Sequence, residues 1–126
     1  MIDIARQVAY WRDSAREDWG VAQDLIAQAR VRHALFFAHL ALEKALKAHV
    51  CRQTNDLAPR MHNLIRLAEI GAVRLSQGYE DVLAEMNAFN LEGRYPDMLM
   101  PPPNLAEAQD YLKRSEEVFQ WLLSQL

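Results

Sequence analysis

Residues 31–51 read VRHALFFAHLALEKALKAHVC, and this stretch decides the fold. From Ala34 to Leu42 it is apolar almost all round, interrupted only by His39. That is the pattern of a helix covered on several sides, by other helices or by a second subunit, rather than of a surface helix with one apolar stripe. The helix is predicted to run from Val31 to about Cys51. Beyond Leu42 the side chains divide. Glu43 and Lys47 stand in the favourable four-residue order for a surface ion pair, with Lys44 and His49 pointing elsewhere. The apolar run is about half the length a bilayer-spanning helix needs, so no membrane span is expected.

Upstream, Ile4, Val8, Trp11, Ala15, Ala22 and Leu25 recur at steps that line one side of a long helix, predicted to run to about Ala29. Asp18 falls on the same seam, where a carboxylate costs free energy unless it lies at the bundle's edge or pairs with a base. Downstream, Thr54 to Pro59, Gly71 to Gly78 and Gly93 to Pro103 punctuate the chain. Between them the spacing predicts a short helix from about His62-Asn63 to Gly71, and a fourth helix outlined by Tyr79, Val82, Met86 and Phe89. His62, next to Asn63, is read most simply as capping the short helix. The last helix has the clearest start. Pro101-Pro102-Pro103 cannot continue a helix, Asn104 is a favoured N-cap, and Glu107 completes a capping box. Leu105, Ala108, Leu112, Ser115, Phe119, Leu122 and Leu126 then form its seam. No segment alternates like a strand, so the expected fold is an all-α, up-and-down four-helix bundle with one additional short helix.

A chain of 126 residues is expected to form one domain, 1–126. The N-terminus lacks the apolar core and cleavage site of a secretory signal, which predicts a cytoplasmic protein. Cys51 is the only cysteine, so no internal disulfide can form, and near a helix end it reads as packing before it reads as a nucleophile. The net charge of -3 weighs against broad nucleic-acid binding. Charge is uneven, however. Arg30 to Arg66 holds seven bases against Glu43 and Asp56, and from Leu67 onward ten acids face four bases. One face can be positive although the whole is not.

The run Ala41-Leu42-Glu43-Lys44-Ala45-Leu46-Lys47-Ala48 resembles the signature second helix of HEPN domains. Three further features agree in order: Trp11, Ala15, Asp18 and Ala22 before it, His62-Asn63-Leu64 after it, and Asn87-Ala88-Phe89-Asn90 leading to Arg94-Tyr95-Pro96-Asp97. The resemblance implies a helical bundle, commonly a homodimer, often acting with a small nucleotidyltransferase as a two-component pair. In several branches of the family that the chain resembles, the bundle is a metal-independent RNase toxin with the nucleotidyltransferase as its antitoxin, and other members are linked to nucleotide binding.

In the ribonuclease branch an Arg is followed, after four to six residues, by a His at the start of the last helix. The guanidinium holds the scissile phosphate and the imidazole moves protons. Arg94 stands in the expected place, but residues 95–101 contain no His. Arg32 and His39 match the spacing inside the second helix, yet eleven Arg and four His produce about one such match by chance. Asp97 or Tyr95 could replace the His only with a strongly shifted pKa. Candidate ligand-binding residues are therefore Arg94, Tyr95, Asp97, Glu43, Lys44 and Lys47. Glu43 either belongs to a surface pair or orients Arg94 across a cleft where Lys44 meets a phosphate. Arg94 either holds a ligand or ties helix ends together. The four His lack the spacing of a metal site, and no cofactor is expected. Three functions follow: a non-nucleolytic nucleotide- or RNA-phosphate-binding partner of a small nucleotidyltransferase, an RNase toxin with a non-standard general base, or a plain interaction module, homodimeric through the second helix. In a transferase pair Tyr95 is also a candidate acceptor of a nucleotidyl group.

Overall fold

The computed structural model describes residues 1–90, 101 and 103–126, which form helices and their connections, with no strand among the described residues. The helices are α1 (Ile4–Ala27), α2 (Val31–Thr54), α3 (Leu64–Ile70), α4 (Gln77–Met86) and α5 (Leu105–Ser124). The all-α bundle predicted from the periodicity is the architecture observed, and α3 is the short element.

α1 begins where the Asp3 carboxylate accepts the Arg6 N–H at 3.1 Å. It stops at Ala27, two residues short of the predicted end, because Ala29 takes a left-handed φ of 58° and turns the chain into α2. α2 runs past its predicted end at Cys51 and closes on Asn55, also left-handed at φ 55°. Among the described residues, the interface between α1 and α2 is the most extensive. Ala15 and Ala22 on α1 and Ala38, Ala41 and Ala45 on α2 are fully buried, and such small side chains let helix backbones approach closely. Trp19, absent from the predicted α1 seam, is buried too. Its ring stacks on Phe119 of α5 at 4.9 Å and its Nε1 donates to Glu116 at 3.1 Å, so that α1 is fastened to α5.

The helix starts follow their caps. Asn63, not His62, caps α3 by accepting the Arg66 N–H at 3.1 Å, and Ser76 caps α4. α3 ends at Gly71, where a Cβ would come within 3.2 Å of the Leu67 carbonyl oxygen and 3.3 Å of His49 Cβ. A Cβ there would fit only if these neighbours gave by a few tenths of an ångström, so glycine lets the turn press close against α2. Phe89 lies beyond the last turn of α4, buried and edge-on to Tyr111 of α5 at 5.0 Å. At α5 the Asn104–Glu107 capping box is complete, with bonds of 2.8 and 3.0 Å. Ala108, Leu112, Ser115, Phe119 and Leu122 of the seam are buried, whereas Leu105 remains exposed. No helix among the described residues is long and apolar enough to cross a membrane.

Leu42, fully buried at the middle of α2, tests the central position of this helix. Leu42→Ala is expected to cost about 2–5 kcal/mol of unfolding free energy, read from the urea midpoint. A loss under about 1 kcal/mol would show that the site collapses freely and that α2 is not the packing centre.

Candidate functional site

Glu43 and Lys47 do form an ion pair, at 3.0 Å, but it is buried rather than on the surface: the residues are 3% and 6% exposed. One turn of α2 places both toward the interior, and each needs partners there because an unpaired buried charge is strongly destabilising. Lys47 lies over the Trp11 ring of α1, 5.2 Å from its centroid. Glu43 Oε1 accepts from His62 Nδ1 at 3.0 Å and lies 3.8 Å from His39 Nδ1. His39 Nε2 donates in turn to the His62 carbonyl oxygen at 3.1 Å. The short helix therefore begins beside Glu43, with His62 bonded to it instead of capping.

Lys44 turns to α1. Its ammonium is 2.7 Å from Asp18 Oδ2 and donates to Ser14 Oγ at 2.8 Å. The seam carboxylate thus has its base, and Lys44 is engaged away from the Glu43–His62 contact.

The side chain of His62 is nearly half-exposed. It opens on a shallow depression of about 260 Å³ lined with Asn63, Asn87 and Asn90. Asn87 Oδ1 accepts the Leu64 N–H at 2.8 Å and its Nδ2 donates to Asn63 Oδ1 at 3.2 Å, so the end of α4 is stitched to the start of α3. With Nδ1–H donated to Glu43, Nε2 is the ring nitrogen of His62 left for a further hydrogen bond. The arrangement sets that nitrogen beside the amide groups of Asn63, Asn87 and Asn90.

The structure thus brings Glu43 and Lys47 together, adds His62 to them, and places Lys44 on a separate contact. Arg94, Tyr95 and Asp97 lie outside the described residues. His62, Asn87 and Asn90 were in view in the sequence without a reading as one site, since their convergence depends on how the connection from α2 to α3 folds back. The Arg32–His39 spacing match has no site behind it: Arg32 is exposed and His39 is buried against the His62 carbonyl. Burial pushes the Cys51 thiol up, away from the thiolate a nucleophile needs. No three His, Cys, Asp or Glu side chains among the described residues are placed to hold a metal ion.

A double-mutant cycle reads the buried pair. Lys47→Met is expected to destabilise the protein by about 3 kcal/mol at pH 7, since it removes a cation from a buried carboxylate. Adding Glu43→Gln is expected to recover at least half of that loss. Purely additive losses in urea denaturation would mean that the two charges are not coupled.

Two solved structures share this fold. That of TT1696 from Thermus thermophilus matches with a TM-score of 0.81 at 20% identity, covering 95% of this chain and 98% of that one. That of ST0689, an archaeal HEPN homologue, matches with a TM-score of 0.73 at 17% identity, covering 94% and 96%. At such identities the likeness is one of fold. No curated protein matches the sequence. The HEPN domain pattern matches residues 8–126, and with the signature of α2, the buried Glu43 and His62-Asn63 all inside that span, the protein belongs to the HEPN family.

Proposed function

We propose that the chain is a one-domain HEPN protein that binds the phosphate of a nucleotide or RNA without cutting it, as the regulatory partner of a small nucleotidyltransferase in a two-gene, toxin-antitoxin-like system. The observation that carries this reading is the absence of His from residues 95–101, after an Arg94 in the position the ribonuclease branch uses. Charge holding survives that loss, whereas proton transfer from the usual place does not. In this reading Arg94, with Tyr95 and Asp97 beside it, meets the phosphate. The depression at His62, Asn63, Asn87 and Asn90 supplies hydrogen-bonding groups. Glu43 and Lys47 fix His62, and Lys44 fastens α1 to α2.

A second reading, the RNase with a non-standard general base, is favoured by one contact. The His62 imidazole is oriented by a buried carboxylate at 3.0 Å, the relation that sets tautomer and basicity in carboxylate–histidine pairs. Calorimetric titration with ATP, GTP and a short RNA, together with an RNA cleavage assay without metal, separates the readings. Binding of at least one of them, weakened about tenfold or more in Arg94→Ala, with no cleavage, is the expected result. Cleavage abolished by both Arg94→Ala and His62→Ala would replace it with the RNase. Silence in every titration would leave the plain interaction module.

The dimer belongs to the same proposal. Most of α2 from Ala38 onward is buried by its own chain, so its apolar girth does not by itself call for a partner. Phe36 and Leu40, one turn apart, remain partly exposed, and they are the part of α2 available to a second copy. Light scattering is expected to give twice the chain mass for the wild type and the single mass for Phe36→Glu/Leu40→Glu. A monomeric wild type at about 50 μM would remove this interface, since a regulatory homodimer needs at least micromolar affinity.

A further inference from the structure

We propose that the cleft at the carbonyl end of α5 is a second anion site, suited to a phosphate monoester that carries a flat ring. The cleft, of about 280 Å³, lies between the last turns of α2, the connection from α3 to α4, and the end of α5. Arg52 and Gln53 reach it from α2, Arg74 from the connection and Trp121 from α5. No carboxylate is among its lining residues.

Among the described residues, the ion-paired guanidiniums Arg12, Arg16, Arg66 and Arg114 each sit on an acid: Asp13 for the first two, Glu69, and Glu85 with Asp110. Arg52 instead donates one N–H to the Gln125 carbonyl oxygen at 2.7 Å, which leaves the rest of its fork for an oxyanion. Arg74 is exposed and has no ion pair among the described residues. Fastening the end of α5 accounts for Arg52, and Arg74 faces the same cleft without such a contact among the described residues. Two guanidiniums on one cleft without an acid are a phosphate-binding composition.

The walls are fixed before a ligand arrives. His49 is buried and its Nε2 donates to the Leu122 carbonyl oxygen at 2.8 Å. Burial pulls its pKa down, against the raising effect of the bond to Leu122 and helped by the neighbouring Arg52, so at neutral pH the ring is an uncharged part of the wall. Gly71 holds the connection hard against His49 and Val50, and Ala72 turns the chain at φ 52° ahead of Arg74. Trp121 is partly exposed, with its ring braced by Tyr79 at 5.5 Å. A braced indole face bordering a cationic cleft stacks flat rings without regard to their edges. The volume is slightly below the usual range for small-molecule sites, which begins at about 300 Å³. It therefore admits one nucleotide-sized unit, either free or at the 5′ end of a strand.

The site stands independently of Arg94, and the test keeps the two apart. Calorimetry on the full chain would use AMP, adenosine, inorganic phosphate, and an RNA tetranucleotide with a 5′-phosphate or a 5′-hydroxyl. AMP is expected to bind at least about tenfold more tightly than either adenosine or phosphate. Arg74→Ala is expected to weaken AMP about tenfold with an unchanged urea midpoint, because the side chain removed is exposed and forms no ion pair. Arg94→Ala should leave that binding intact. A preference for the 5′-phosphorylated tetranucleotide over AMP identifies a strand end as the source, and the reverse order a free nucleotide. AMP no tighter than adenosine or phosphate, an Arg74→Ala variant that binds like the wild type, or binding lost in Arg94→Ala instead would overturn the proposal.

Discussion

A carboxylate withdrawn from water stays ionised only if donors close around it, and Glu43 imposes that requirement on everything near it. One turn along α2, Lys47 supplies the cation, with the Trp11 ring of α1 beneath it. From the other side His62 supplies an N–H, which draws the connection after α2 back across the helix. His39 pins that connection again through its carbonyl. Asn63 follows at once as the cap of α3, and Asn87 bonds both to it and to the first N–H of α3. A single buried charge thereby sets where the short helix starts and where the end of α4 lies. Networks of this kind rigidify a core when every member is satisfied, and are costly when one is not.

α2 does two kinds of work along one length. Its alanines give the close approach to α1, while its polar and charged residues leave in separate directions. Lys44 goes to Asp18 and Ser14, Glu43 and Lys47 to His62 and Trp11, and His49 and Arg52 to the carbonyl end of α5. A helix buried on most sides is ordinarily apolar on most sides. Here the polar residues are tolerated because each is partnered, within α2 or on the elements packed against it, and those pairings specify how the neighbours sit. The family to which the chain belongs is marked by this same run of residues.

What was legible in the sequence is what depends on local chemistry. The capping box at Asn104 and Glu107, the stop at Gly71, and most of the seam of α5 are written within a few residues and appear in the structure, whereas α2 continues three residues past its expected end at Cys51 and Leu105 of the seam stays exposed. Tertiary placement was not legible in the same way. A Glu and Lys four apart have the same spacing on a wet surface as in a core, so the burial of Glu43 and Lys47 could not be seen. Asp18 was read as needing either a base or an edge, and its base lies on the next helix. His62 looked like a cap because capping is local, whereas its bond to Glu43 exists only once the connection has folded back. Trp19 was missed because the stepwise α1 seam ran through Asp18, and its burial depends on Phe119 at the far end of the chain.

The turn at Ala29 has a consequence for how the molecule assembles. Its left-handed residue sits in a connector of only three residues, 28–30, and that connector joins the two helices that share the largest interface. Closing so short a loop sacrifices little chain entropy, and the contacts it delivers are near in sequence. The α1–α2 hairpin is therefore the part of the chain whose formation demands the least search. It provides a surface on which α3, α4 and α5 can condense, with the Trp19 ring ready to receive Phe119. The three-residue link between α1 and α2 thus favours the pairing of these two helices ahead of the rest.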